Sequence, residues 1–70
     1  MHRKITVIVQ LSGKAHERTL SDGSTVEDLL AQFNLHPDAY IVTKGSKPVP
    51  ITRRLEDGDN LKLIKVASGG

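Results

Sequence analysis

Two glycines, Gly69 and Gly70, stand at the carboxyl end of the 70-residue sequence. Glycine has no Cβ, so a carboxyl group that it carries can pass through a narrow channel and leave the carbonyl carbon open to attack. Two glycines arise by chance at the end of about one chain in 200, given an average glycine frequency of about 7%. The pair is a candidate site for acyl transfer at the carboxyl carbon of Gly70. An ordinary terminus and a tag remnant are the alternatives.

The other reactive residue types lack the spacing of a catalytic or metal site. The sequence has no cysteine, which removes thiol nucleophiles and thiolate metal ligands. His2, His16 and His36 share no chelating spacing, so we expect surface histidines and no metal. Asp57 and Asp59 flank Gly58 as in a calcium loop, but the other ligand residues of such a loop are missing. A turn is therefore expected at these residues. With no nucleophile–base pair and no phosphate loop, the chain is not expected to be an enzyme.

Composition restricts the partners. Ten Lys and Arg against eight Asp and Glu give a net charge of +2, with Arg53–Arg54 as the one close basic pair. Nucleic-acid binders usually carry a basic stripe with stacking aromatics, so no direct nucleic-acid binding is expected. Arg53–Arg54 either steer a partner or lie in a solvated loop.

No apolar run approaches the length of a membrane span, about 20 residues, and no signal peptide follows Met1. A cytoplasmic protein is therefore expected.

Alternation of apolar and polar residues predicts strands, because successive side chains of a strand point to opposite faces. Ser12–Gly13 supplies a hairpin turn between the first two strands. Pro48 and Pro50 each lack a backbone donor, which restricts the fourth strand to a sheet edge. The predicted strands are residues 3–11, 14–20, 39–44, 47–50 and 60–66.

One helix is predicted between the second and third strands. Either Ser24 with Glu27 or Thr25 with Asp28 has the spacing of a helix N-cap followed by a carboxylate three residues later. Pro37 cannot continue the helix, which is expected to end near Asn34. An apolar stripe at helical spacing follows the cap: Val26, Leu29, Leu30 and Phe33.

The order β-β-α-β-β-β predicts an α+β fold in which the helix packs across a mixed sheet, the β-grasp (ubiquitin-like) architecture. A right-handed crossover places the last strand parallel to the first, in the strand order 2-1-5-3-4. We expect residues 1–66 to form this domain and residues 67–70 to form a flexible tail, since apolar periodicity ends at Val66.

The sheet face away from the helix is the second candidate site. Leu61 and Leu63 have the alternation expected of helix-facing residues, so Ile64 and Val66 are expected to face outward. With Ile41 taken as inward-facing, Val42 is assigned outward. Clustered exposed apolar side chains mark interfaces, although strand propensity alone also favours β-branched residues. The predicted partner-binding residues are Ile8, Val42, Ile64 and Val66, rimmed by Lys4, Lys44 and Lys62.

The sequence resembles the ThiS and MoaD sulfur carriers and their relatives over essentially its whole length. The motifs that carry the resemblance are Thr25–Leu30 at the helix start, Leu55–Asp59 before the last strand, and the terminal diglycine. The middle segment, Leu35–Val42, followed by Gly45 and Val49–Pro50, looks closest to the archaeal small ubiquitin-like modifiers.

The resemblance implies a monomeric carrier that binds no cofactor itself. A ubiquitin-activating-type enzyme would use ATP to adenylate the Gly70 carboxyl. A sulfur donor would then form a thiocarboxylate for an acceptor enzyme of tRNA thiolation, molybdopterin or thiamine biosynthesis, or a target-protein lysine would form an amide. Six lysines of this chain are themselves possible acceptors: Lys4, Lys14, Lys44, Lys47, Lys62 and Lys65. The alternatives are a noncovalent β-grasp interaction module and an RNA-binding domain of the threonyl-synthetase amino-terminal type.

Overall fold

The computed structural model describes residues 3–66 of the chain. Its elements are β1 (Lys4–Leu11), β2 (Lys14–Ser21), α1 (Val26–Gln32), a 3₁₀ turn (Pro37–Ala39), β3 (Tyr40–Lys44), β4 (Lys47–Val49) and β5 (Asn60–Lys65). The 3₁₀ turn was not predicted, and it delays the start of β3 to Tyr40. The predicted tail, residues 67–70, lies outside the described residues.

The five strands form one mixed sheet in the order β2-β1-β5-β3-β4, which confirms the predicted β-grasp topology. The last strand, β5, lies at the centre of the sheet. It runs parallel to β1 and antiparallel to β3. The chain therefore leaves the sheet from its middle rather than from an edge.

A two-residue turn joins β1 to β2. Leu11 pairs with Lys14, so only Ser12 and Gly13 form the turn. Both have positive φ angles, 53° and 77°, the geometry of the type I′ hairpin turn whose twist matches that of the strands. The predicted hairpin is confirmed with its predicted turn residues.

The start of α1 is fixed by a capping box at the second of the two predicted positions. The side chain of Thr25 accepts from the Asp28 N–H, and the Asp28 carboxylate accepts from the Thr25 N–H at 2.9 Å. The first helical N–H groups, of Val26 and Glu27, donate to the carbonyls of Arg53 and Ile51. The segment before β5 thus covers the helix N-terminus.

The end of α1 is a Schellman motif. Asn34 adopts φ 58°, a left-handed conformation that asparagine tolerates better than most residues. The N–H of Asn34 donates to Ala31 and that of Leu35 to Leu30, at 3.1 and 3.0 Å. These bonds satisfy carbonyls that would otherwise lack partners at the helix end, near the predicted Asn34 boundary.

The core lies between α1 and one face of the sheet. The predicted helix stripe supplies three fully buried residues, whereas Phe33, at the C-cap, is only partly buried. The buried apolar residues are Ile5, Val7, Val9, Leu20, Val26, Leu29, Leu30, Val42, Leu55, Leu61 and Leu63. Within residues 3–66, no helix is long and apolar enough to cross a membrane.

Candidate functional site

The candidate site begins with an apolar pair on the sheet face opposite the helix. Ile41 on β3 lies directly opposite Ile64 on β5, and residues opposed in this way share a face. Their exposed fractions are 46% and 43%, the two largest among the large apolar residues of the described chain. Side chains directly opposite one another have Cβ atoms about 5 Å apart, so the two isoleucines form one continuous apolar surface. The outward prediction for Ile64 is confirmed.

The prediction that Val42 faces outward is wrong. Val42 is 2% exposed and lies opposite Leu63 and Val49, on the face covered by the helix. Both Ile41 and Val42 are apolar, so the sequence alone does not decide which of them is buried. Pairing with β5 decides it, because Leu63 is held on the core face and directly opposed residues share a face. Ile41 therefore takes the outward position assigned to Val42.

Ile8 is on the outer face but does not adjoin Ile64. It is half-buried and lies opposite Asn60 in the parallel pair of β1 and β5. Ile64 comes four residues after Asn60, which is about 13 Å along a strand at about 3.3 Å per residue. A polar row of Gln10, Lys62 and Thr43 crosses the sheet between these two positions. The predicted continuous patch from Ile8 to Ile64 is therefore not formed.

Val66 extends the apolar pair toward the carboxyl end of the chain. It follows β5, is 37% exposed as predicted, and donates its N–H to the carbonyl of Ala39 at 2.8 Å. This bond holds the last described residue beside β3. We call Ile41, Ile64 and Val66 the apolar outer patch. Gly69 and Gly70, the predicted reactive residues, lie outside the described part of the chain.

The surroundings of the apolar outer patch are polar on one side and concave on the other. Lys62 lies one row away on β5, opposite Thr43. Lys4 does not rim the patch as predicted, because it lies four residues before Ile8 on β1 and is therefore further from Ile64 than Ile8 is. A shallow depression beside Ile64 is lined by residues of the β1–β2 turn, Ser12 and Gly13, and by Tyr40. The patch thus offers a partner an exposed apolar centre with an adjoining depression.

Lys44 does not rim this patch as predicted. Its Nζ lies 2.9 Å from Oδ1 of Asp59, a carboxylate that is only 4% exposed. Oδ2 of Asp59 accepts from Nη1 of Arg53 at 3.2 Å and from the Glu56 N–H at 2.8 Å. Asp59 has the same alternation as Leu61 and Leu63, which is the sequence signal for its inward position. The sequence predicts only a turn at Asp59, and the structure adds a buried carboxylate with two cationic partners.

The Asp59 carboxylate remains ionised despite its burial. Burial acts to raise the pKa of Asp59, but the hydrogen bond from the Glu56 N–H and the two cations, Lys44 and Arg53, outweigh it and hold the pKa below its ordinary value. Arg53 is therefore structural, whereas Arg54 is exposed. The turn also docks onto β1, since the Gly58 N–H donates to the Thr6 carbonyl at 2.8 Å.

No metal site is evident in the part of the chain that the structure describes. Residues 3–66 contain no group of three histidine, aspartate or glutamate side chains that would hold a metal ion. His16 instead packs edge-on against Phe33, with ring centroids 5.6 Å apart, and the Arg18 guanidinium lies 4.5 Å from the centre of the same ring. These contacts close the space between β2 and the end of α1.

The fold is similar to several ubiquitin-like structures. The chain matches the solution structure of an N-terminal ubiquitin-like domain with a TM-score of 0.76 and 19% identity, covering 100% of this chain and 82% of that one. It also matches a ubiquitin from Caldiarchaeum subterraneum with a TM-score of 0.64 and 25% identity, over 100% of both chains. A ubiquitin-like protein from the same archaeon matches with a TM-score of 0.54 and 23% identity, over 96% of this chain and 100% of the other. No curated protein matches the sequence at a significant level.

Family membership follows from a match at the level of sequence. The family model of small archaeal modifier protein 2 matches residues 3–67, which is nearly the whole chain. The match includes every strand, the helix and the apolar outer patch. It agrees with the resemblance of the middle segment to the archaeal modifiers. The chain belongs to the small archaeal modifier protein 2 family, whose members are ubiquitin-like modifiers.

Proposed function

We propose that the protein is a modifier and sulfur carrier that is activated at the carboxyl group of Gly70 by a ubiquitin-activating-type enzyme. Membership of the small archaeal modifier family is the observation that carries this proposal. The diglycine supplies an unobstructed carboxyl carbon. ATP is consumed by the activating enzyme, and the modifier itself binds no cofactor.

The chemistry needs activation because a carboxylate is a poor electrophile. A carboxylate oxygen of Gly70 attacks the α-phosphorus of ATP, and pyrophosphate leaves. The resulting acyl-adenylate is then attacked at its carbonyl carbon by a nucleophile, and AMP leaves with the electrons of the broken C–O bond. A sulfide-equivalent donor yields a thiocarboxylate for sulfur transfer to tRNA, molybdopterin or thiamine precursors. A lysine amine yields an amide and releases a proton.

The position of the apolar outer patch supports a two-part mode of recognition. The patch includes Ile64 on the central strand and Val66 directly after it, so it immediately precedes the reactive end in the chain. Four residues follow Val66, and four extended residues reach about 13 Å. An activating enzyme that binds the patch would therefore have Gly70 within reach of its nucleotide site. Binding energy at the patch would help position a carboxyl group that has little surface of its own.

Deletion of Gly69 and Gly70 tests the proposal. The truncated and the full-length protein are each incubated with the cognate activating enzyme, ATP and a sulfur source. Acyl-adenylate, thiocarboxylate and lysine conjugates are then measured by mass spectrometry. We expect products from the full-length protein only, with equal urea midpoints for both proteins.

Gly70→Ala is the milder variant, because one methyl group should slow adenylation without changing the length of the chain. Products from the truncated protein, or none from the full-length protein, would contradict the proposal. Products from the truncated protein would mean that the diglycine is not required for activation, whereas their absence from the full-length protein would make a noncovalent β-grasp interaction module the better account of the fold and the patch.

A further inference from the structure

The lysines of the described chain differ in one respect that bears on amide formation. Six lysines lie within residues 3–66, and among these residues Lys44 alone has a carboxylate within ion-pair distance. Its partner, Asp59, is buried and accepts from Lys44, Arg53 and the Glu56 N–H. The side chain of Lys44 is nevertheless 43% exposed, so access by solvent does not separate it from the other lysines.

Lys47 is a natural comparison for Lys44. The two lysines are opposite one another in the β3–β4 hairpin, three residues apart in sequence, and both are exposed. Lys47 has no ion-pair partner within residues 3–66. The two lysines therefore share a sheet face and a distance from the hairpin turn. Lys44 lies on the inner strand β3 and Lys47 on the edge strand β4, and of the two only Lys44 contacts Asp59.

We propose that Lys44 is withheld from acylation by its contact with Asp59, so that amide formation on this protein is directed to its other lysines. This inference rests on the proposed function, in which activated glycine carboxyl groups are transferred to lysine amines. A lysine reacts when the nitrogen lone pair attacks the acyl carbon. The new C–N bond forms, the leaving group departs with the electrons of its bond, and the nitrogen releases a proton. Nζ of Lys44 must leave Asp59 before its lone pair is available.

The contact with Asp59 disfavours the amide product at Lys44 as well as the attack by the Lys44 amine. An amide at Lys44 is neutral, so the buried carboxylate of Asp59 would keep Arg53 as its remaining cation. Removing a partner from a buried charge costs stability, because the charge keeps its desolvation penalty and loses part of its compensation. An acyl group at Lys44 would therefore loosen the segment from Arg53 to Asp59, which also covers the start of α1. At Lys47 no such contact within the described chain is lost.

Chemical acylation tests this selectivity without an activating enzyme. The folded full-length protein is treated with a limiting amount of an acetyl N-hydroxysuccinimide ester, and modification at each lysine is measured by peptide mass spectrometry. We expect Lys47 to react about fivefold faster than Lys44, the ratio that corresponds to a pairing free energy of about 1 kcal/mol. The ratio should approach one in urea, where the chain is unfolded. Equal rates in the folded protein would overturn the proposal, whatever the outcome of the enzymatic assay.

Asp59→Asn identifies the cause of the selectivity. In this variant the Lys47 to Lys44 ratio should fall toward one, whereas Glu56→Gln, a change at an exposed neighbour, should leave it unchanged. A ratio that persists in Asp59→Asn would show that Asp59 is not responsible. If Asp59→Asn does not fold, Lys44→Gln and Lys47→Gln, which mimic the acylated side chains, replace it. We expect a lower urea midpoint for Lys44→Gln only, and equal midpoints would contradict the proposal.

Discussion

Ile41 faces Ile64 directly across the antiparallel pair of β3 and β5, and both side chains are exposed on the sheet face away from the helix. An apolar cross-strand pair contributes modestly to sheet stability. The exposure of the pair says more about function than its contribution to stability does, because clustered apolar side chains at a surface mark interaction sites. The first prediction tests that role.

Ile64→Asp is expected to weaken binding to the activating enzyme while leaving the domain folded. A central apolar anchor of an interface commonly contributes about 2 kcal/mol or more, so binding should fall about thirtyfold or more. ATP–pyrophosphate exchange by the partner, measured as a function of modifier concentration, reports the change. Ile41→Asp should have a similar effect.

Two control variants change residues that lie outside the apolar outer patch, one on the same sheet face and one in the core. Ile8→Asp alters the same face but lies about 13 Å along the strand direction from Ile64, so its effect on exchange should be smaller. Val42→Asp should unfold the domain, because it buries a charge in the core. Unchanged exchange with Ile64→Asp would exclude the apolar outer patch as the enzyme's binding surface.

Asp59→Asn is expected to lower the free energy of unfolding by about 1–3 kcal/mol, the cost of disrupting a buried, charge-assisted hydrogen-bond network. The amide that replaces the carboxylate is neutral and cannot accept through both of its terminal atoms, so the contacts with Lys44, Arg53 and the Glu56 N–H are not all kept. Urea unfolding followed by circular dichroism gives the difference. A variant as stable as the wild type would mean that these contacts contribute nothing net.

The contribution of Asp59 should depend on pH in a defined direction. Its pKa is lower in the folded protein than in the unfolded chain, so the folded state favours the ionised form. The resulting stabilisation is fully present above the unfolded pKa of about 3.9 and is lost as the pH falls through the lower, folded pKa. The stability difference between the wild type and Asp59→Asn should therefore be constant near neutral pH and shrink in acid. A difference that grows in acid would contradict the assigned sign.

Leu30→Ala is expected to destabilise the fold by about 2–5 kcal/mol, since Leu30 is fully buried between helix and sheet. Gln32→Ala, on the same helix, removes one hydrogen bond from Nε2 to the carbonyl of Thr19 and should cost about 1 kcal/mol or less. Thermal unfolding of the two variants gives the comparison. Equal melting temperatures would mean that the buried face of the helix is misassigned.

Most of the fold follows from local patterns that the sequence carries by itself. Alternation defined β1 and β5, Ser12–Gly13 defined the hairpin turn, and the 3.6-residue spacing of Val26, Leu29 and Leu30 defined the core face of α1. These signals depend on neighbours within a few residues. The general handedness of crossovers then gave the strand order. The outward positions of Ile64 and Val66 followed directly from the alternation of β5.

Tertiary structure alone decided the features that depend on how distant segments align. The orientation of β3 remained ambiguous because Ile41 and Val42 are both apolar, and pairing of Val42 with Leu63 resolved it. The separation of Ile8 from Ile64 depends on the register between β1 and β5, which no local pattern encodes. The contact of Lys44 with Asp59 joins residues 15 positions apart, and the energy of burying a charge depends on which partners the fold brings to it. The sequence therefore determined the elements and their order, while long-range strand register determined the composition of the patch and the buried ion pair.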